Sequence, residues 1–310
     1  MKKILVAGTI AFDEVTTPMG YSGKQAGGSA TYLALAAAHF NADLGMISIV
    51  GHDFPLSYLK EFEKRNINIE GIEIHPVEKT FYWKGYYYEN MNRRDTLVTQ
   101  VNALKEFKPH VPPAHRNSDL IALGNLHPAI QLEILNQIEK RPALIMLDTM
   151  NYWMENAYEE LLKVLKKIDL LLVNEEEIRQ LTGEYFLHEA VSAVRRLGPS
   201  HVIIKQGEYG SMLFTPDGFF SAPAYPVKRV YDPTGAGDSY AGGFIGHLSR
   251  YECIDFEAMK NAVICGANLA SFCVEDFGIK RLLNLQTEEI RNRLIELVNM
   301  TRFSLQNKSV

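Results

Sequence analysis

LLLVNEEEIRQLTGEYFLHEAVSAVRRLGPSHVIIKQ, residues 170–206, sets two aliphatic runs, Leu170–Asn174 and His201–Gln206, around an amphipathic stretch at Glu189–Leu197. Strands that are apolar residue after residue are covered on both faces, and a helix between two of them makes a parallel crossover. The same grammar runs through most of the chain. Lys3–Gly8, Leu44–Val50, Leu120–Gly124 and Ala143–Asp148 read as further buried strands, each ending at Gly, Asp or a short polar break. Ser29–Phe40, Pro55–Asn66, Ala129–Lys140 and Asn156–Lys167 read as the intervening helices. The pattern predicts an α/β fold: three layers, α/β/α, around a doubly wound and mostly parallel sheet. Ligands of such sheets sit beyond the carboxyl ends of the strands.

Two stretches break the alternation. Thr80–Val101 holds two aromatic and β-branched runs around the polar turn Glu89–Asp95, a hairpin pattern, and Thr9–Gln25 is expected to add a strand beside it. Together they predict a small β-sheet lid inserted at about residues 10–26 and 78–103 of one domain spanning 1–310. Phe81, Trp83 and Tyr87 fall on one face of the hairpin, and Tyr82, Tyr86 and Tyr88 on the other. Aromatic surface on both faces suits a small lid packed on its own core or a homodimer clasped through the outer face of the lid. Gly210–Thr215 and Gly218–Ala222 predict a second hairpin; beyond Gly235 the pattern is helical, at Asp255–Val274 and Thr287–Thr301, with Ser304–Val310 as a frayed tail.

The 310 residues are 46% hydrophobic and 22% charged, ordinary globular material, with 32 basic against 37 acidic residues for a net charge of −5. The basic residues are scattered, so nucleic acid is not the expected partner. No run of 18 apolar residues and no signal-like N-terminus occur, so no membrane span is expected. Three cysteines without CxxC spacing, Cys253, Cys265 and Cys273, suit a reducing, cytoplasmic compartment. A dinucleotide-binding GxGxxG is missing after the first strand, and the only Gly-Lys pair, Gly23-Lys24, leads into Gln25 rather than a P-loop. No two of the nine histidines lie within four residues, so metal-ligand spacing is absent.

The sharpest chemical signal is Asp232-Pro233-Thr234-Gly235-Ala236-Gly237-Asp238, running straight into the amphipathic Ser239–Tyr251. Small residues opening a helix let backbone N–H groups approach an anion, and the helix dipole adds positive potential. An acid beside a phosphate cradle would repel its ligand. It has a purpose where a hydroxyl attacking a phosphoryl group must lose its proton, which Asp238 would accept. An Asp that only complements the helix dipole is the plainer alternative.

These residues resemble the C-terminal signature of the ribokinase-like (PfkB) carbohydrate and nucleoside kinases, Asp-Thr-x-Gly-Ala-Gly-Asp, with Pro233 in place of the usual Thr. Further matches follow in order along nearly the whole chain. The resemblance implies Asp238 as catalytic base, with Gly235, Ala236 and Gly237 as anion hole. It places Asp13 on the hydroxyls of the acceptor and Gly27-Gly28 at the hinge between lid and core. Asn174 and Glu177 match an NxxE motif, Asn174 facing the phosphates and Glu177 organising Mg²⁺ through water. Lys205, Gly207 and Gly210 look like the turn beside the nucleotide, and Asn268 is a candidate contact to its base. Asp232, Thr234 and Gly278 resemble a K⁺ site adjoining the anion hole. The implied cofactors are ATP, Mg²⁺ and K⁺, and the implied acceptor a small sugar or nucleoside.

Two departures bear on the acceptor. Tyr32 stands where the family usually has a sugar-contacting Asn, and Asp148-Thr149-Met150-Asn151-Tyr152-Trp153 replaces the compact Asp-Pro-Asn-x-Arg of many sugar kinases. Gained aromatic surface suits a bulkier or base-bearing ligand. In the lid turn, Arg93 or Arg94 would meet a phosphate if the hairpin folds over the pocket. A kinase-like sensor without turnover is the non-enzyme alternative, and the retained Asp238 speaks against it.

Overall fold

The computed structural model describes residues 1–40 and 43–302; the expected tail, Ser304–Val310, lies outside them. The strands are β1 (Lys3–Ala7), β2 (Ala11–Thr17), β3 (Gly20–Gly27), β4 (Asp43–Gly51), β5 (Ile67–His75), β6 (Phe81–Tyr87), β7 (Arg94–Gln100), β8 (Leu120–Leu123), β9 (Leu144–Asp148), β10 (Leu170–Asn174), β11 (His201–Lys205), β12 (Ser211–Thr215) and β13 (Gly218–Ala222). The helices are α1 (Ser29–Ala38), α2 (Leu56–Glu63), α3 (Pro128–Asn136), α4 (Asn151–Asn156), α5 (Tyr158–Leu165), α6 (Glu175–Thr182), α7 (Leu187–Leu197), α8 (Ala236–Leu248), α9 (Phe256–Cys273), α10 (Lys280–Asn284) and α11 (Thr287–Met300).

Nine strands form the main sheet in the order β13-β12-β11-β10-β9-β8-β1-β4-β5. All its pairings are parallel except β11 with β12 and β12 with β13. Alternating side chains split between two cores. Ile4, Val6, Leu170 and Leu172 pack with α1, α8 and α9, whereas Leu5, Ala7, Leu171 and Val173 pack with α5, α6 and α7. This two-sided burial is why the strands read as unbroken apolar runs. From β1 the chain winds outward to β5, then returns to β8 and winds toward the other edge. The crevice between the carboxyl ends of β1 and β8 is therefore the switch point of the fold, and Asp13, Ser29 and Asn125 converge there.

A four-stranded sheet, β3-β2-β6-β7, supplies the lid. Thr9–Gln25 holds a hairpin rather than the single expected strand, because Pro18-Met19 turns the chain so that β2 pairs antiparallel with β3 and parallel with β6. β5 was not expected. Its sequence, INIEGIEIH, alternates as an edge strand should, but Gly71 interrupts the apolar face where Ile47 presses in. The expected helix Asn156–Lys167 is present as α5; α4, just before it, was not expected, and the two are separated at Ala157, whose ψ of 41° leaves the helical range. No described helix is long and apolar enough to cross a membrane.

Candidate active site

Gly235 starts α8 in the left-handed region, φ 76°, and a Cβ there would stand 2.4 Å from the ring of Tyr32. Both facts require glycine; the Ala236 N–H donates to Pro233 O at 3.2 Å, and the N–H groups of Gly235 and Gly237 have no hydrogen-bond partner among the described residues. Asp238 sits in the first turn of that helix. Burial, and next the charge of Asp148, push its carboxyl up to about 7, against the pull of Lys205 and Arg94. An acid with that pKa is suited to take a proton near neutral pH.

Across the cleft, Asp13 on β2 is buried and accepts a hydrogen bond from the Gly28 N–H at 3.2 Å. A Cβ on Gly27 would lie 1.9 Å from Asp13 Oδ2, so the acid can occupy this place only beside glycine. Burial raises Asp13 to about 7 as well, with Asp232 and Asp238 adding to the shift.

Asn174 and Glu177 form a capping box at the start of α6. Asn174 Oδ1 accepts the Glu177 N–H at 2.8 Å, and Glu177 Oε2 accepts the Asn174 N–H at 2.7 Å. The box is an ordinary helix start, and it fixes both side chains at the carboxyl end of β10. Glu177 is buried, which pushes it up to about 7, and Oε1 takes no protein hydrogen bond among the described residues. A fixed, half-satisfied carboxylate suits a water-mediated contact to a hard cation.

Lys205, last in β11, places Nζ 2.8 and 2.6 Å from the two carboxylate oxygens of Asp148, last in β9. Burial alone would lower the lysine; the charges of Asp148 and Glu177 outweigh it and hold Lys205 above its ordinary value. Nζ also lies 3.1 Å from where a Cβ on Gly237 would be, so the ammonium rests against the anion-hole backbone. The partnership escapes sequence reading, because the two residues lie 57 apart and meet only through strand order; the signal was a charged residue ending each of two buried strands.

Asp232 is buried and accepts the Thr234 N–H at 2.9 Å and the Gly278 N–H at 3.1 Å, with no cationic side chain paired to it among the described residues. An unneutralised buried carboxylate fits a monovalent cation held with backbone oxygens. Gly207 and Gly210 shape the exposed turn after β11. Asn268 must be corrected: it is fully buried in α9, and its Nδ2 donates to Ile290 O at 2.8 Å, so the side chain faces α11 rather than the cleft.

The lid reaches over this floor. Asn92 Oδ1 lies 3.4 Å from the Cβ position of Gly207, and Thr234 Oγ1 donates to the Tyr87 hydroxyl at 3.2 Å. Arg94, an exposed residue of β7, turns its guanidinium toward Tyr87, 3.5 Å away, and its charge lowers Asp13, Glu177 and Asp238. Trp83 pairs in register with Asp13 on the cleft face of the lid. On the core side, Trp153 donates to Asn125 Oδ1 at 2.7 Å and meets His127 and Tyr152 edge-on.

The profile of the pfkB family carbohydrate kinases matches residues 4–284. A cytidine kinase of Thermococcus kodakarensis is 28% identical over 254 residues, covering 81% of this chain and 90% of its own. The nucleoside kinase of Methanocaldococcus jannaschii superposes with a TM-score of 0.76 at 22% identity, over 96% of this chain and 99% of that one. An E. coli protein solved with ATP and Mg²⁺ superposes with a TM-score of 0.77 at 20% identity, covering 96% and 99%. With the signature at Asp232–Asp238 on the amino end of α8, and a match over nearly its whole length, this chain belongs to the pfkB family of carbohydrate kinases.

Proposed function

We propose that this protein is a single kinase domain that transfers the γ-phosphoryl group of ATP to a hydroxymethyl group of a sugar or sugar-derived acceptor. The observation that carries the reading is Asp238 in the first turn of α8, beside the glycine turn at Gly235 and close enough to Asp13 for its charge to raise that acid. Asp13 accepts hydrogen bonds from acceptor hydroxyls and orients the one that reacts. Asp238 takes the proton of that hydroxyl as its oxygen bonds to the γ-phosphorus and the bond to the β–γ bridging oxygen breaks, leaving ADP. The amides of Gly235, Ala236 and Gly237 stabilise the charge on the phosphoryl oxygens. Asn174, Lys205, Gly207 and Gly210 line the nucleotide side. Glu177, beside the phosphate-facing Asn174, would hold Mg²⁺ through water, and the ion when bound neutralises and orients the phosphates. Asp232, with backbone at Thr234 and Gly278, would hold K⁺.

Within this reading a nucleoside is the second candidate acceptor, because Trp83 pairs in register with Asp13 in the lid and offers a flat apolar face, and Trp153, bonded to Asn125, adds aromatic surface to the core. The cytidine kinase relative supports it. The test is ADP release by purified protein against pentoses, hexoses, hexose phosphates and nucleosides, with and without K⁺. Turnover with sugars supports the first acceptor class and with nucleosides the second; ATP binding with no turnover on any acceptor overturns the enzyme in favour of a sensor. The partner is a small molecule, and the donor ATP together with three free cysteines supports a cytoplasmic setting. The lid is also read as a homodimer surface, since Tyr86 and Leu97 are 40% and 54% exposed on it. Leu97→Asp is expected to halve the sedimenting mass, and an unchanged mass removes the lid from that role.

A further inference from the structure

β9, β10 and β11 are neighbours in the main sheet, so the side chains of Asp148 and Lys205 meet across the end of the strand between them. The pair is enclosed, with side chains 10% and 18% exposed. An ammonium lodged there is not self-explanatory. It lies against Gly237 at the amino end of α8, where the helix dipole is positive and repels a cation. Something must hold it in place, and Asp148 does so with both carboxylate oxygens. A lysine ammonium has three N–H donors; two point to Asp148, and the third has no protein partner among the described residues.

This arrangement deepens the kinase reading and rests on it. We propose that Asp148 is a positioning residue for phosphoryl transfer: it clamps Lys205 against Gly237 so that the remaining N–H of the ammonium meets an oxygen of the γ-phosphoryl group. The clamp keeps the positive charge at the floor of the anion hole before nucleotide enters, so little reorganisation remains when charge develops on the phosphoryl oxygens. It also separates two tasks, since Asp148 holds the cation while Asp238 takes the proton. The charge of Asp148 supports this division, because after burial it contributes most to pushing Asp238 up into the range of a working base.

The test compares Asp148→Asn, Lys205→Met and the double variant. Lys205→Met is expected to lower kcat about 10²-fold, the usual loss for one donor of an anion hole. Asp148→Asn is expected to lower kcat at least about tenfold with a smaller change in KM for ATP, and Asp148→Glu, which keeps the charge, to recover part of it. The double variant is expected to be no slower than Lys205→Met, because the acid acts through the lysine. Losses that multiply in the double variant, or an Asp148→Asn enzyme with unchanged kcat, overturn the proposal while leaving the kinase reading intact. A wild-type protein that releases no ADP with any acceptor sinks the kinase reading instead. Calorimetry gives a readout that needs no turnover and no folded Asp148 variant. Wild type is expected to bind a non-hydrolysable ATP analogue more tightly than ADP, and Lys205→Met to lose that preference; a preference kept intact overturns the role of the lysine and with it that of Asp148.

Discussion

Asp238 is asked to carry charge in a half-buried place beside another acid, and folding bears the conflict. Its carboxyl, with those of Asp13 and Glu177, is held at about 7 in the folded chain against ordinary values near 4. Between those values the unfolded chain binds fewer protons than the folded one, so the stability these groups allow falls as pH rises from about 4 to about 7 and stays low above it. Asp238→Asn removes one such group. The variant is expected to lose at least about 10²-fold in kcat for want of a base, yet to melt at least about 2 °C higher, with a larger gain at about pH 8 than at about pH 5. Thermal melts at the two pH values beside a steady-state assay measure both. An enzyme that keeps its rate removes Asp238 from proton transfer, and one that melts lower shows its charge to be stabilising.

The turn that opens α8 shows how far an element can be read before it is seen. Glycine at 235 was legible as a phosphate-cradle residue, but its partner was not, since nothing in a linear sequence says that Tyr32 on α1 lies under it. Gly235→Ala therefore carries two penalties, a positive φ of roughly 1–2 kcal/mol and a collision with the ring. It is expected to lower the melting temperature by several degrees and abolish most turnover. Tyr32→Ala alone opens a cavity in the core, so a double-mutant cycle is the test: the loss in the double variant is expected to be smaller than the sum of the two single losses because the collision is gone, and strictly additive losses would mean that φ strain accounts for the whole cost of Gly235→Ala. The same division runs through the chain. Buried parallel strands announced themselves because both their faces are apolar, whereas β5 and the β2–β3 hairpin, each with a polar face, did not. Asn174, Glu177 and Asp238 stood out in the sequence because each opens a helix, whereas Asp13, inside β2, and Asp232, in a loop, were singled out by the family resemblance. Asn268 misled because an interior amide on α9 looks the same in sequence whether it faces a ligand or α11, and the Asp148–Lys205 clamp depends on strand order that no local pattern records.

At the scale of the molecule, floor and roof act on one acid with opposite signs. Asp148, on the sheet, raises Asp238, while Arg94, carried by the lid, lowers it. The lid is joined to the core at Thr234–Tyr87, beside the anion hole, so its position sets how strongly Arg94 bears on the base. A base must be deprotonated to work, so kcat/KM should fall about tenfold per pH unit below an apparent pKa near 7. Arg94→Met removes a nearby positive charge, which disfavours the carboxylate; the acid limb is expected to move to higher pH and the rate at neutral pH to drop. Asp148→Asn removes a nearby negative charge and is expected to move the limb the other way, even as its own loss of rate persists at every pH. Rate profiles from about pH 5.5 to 9 separate these shifts. If the limb stays fixed in Arg94→Met while it moves in Asp148→Asn, the lid does not hold its arginine over Asp238 in the free enzyme, and the field that tunes the base comes from the sheet alone.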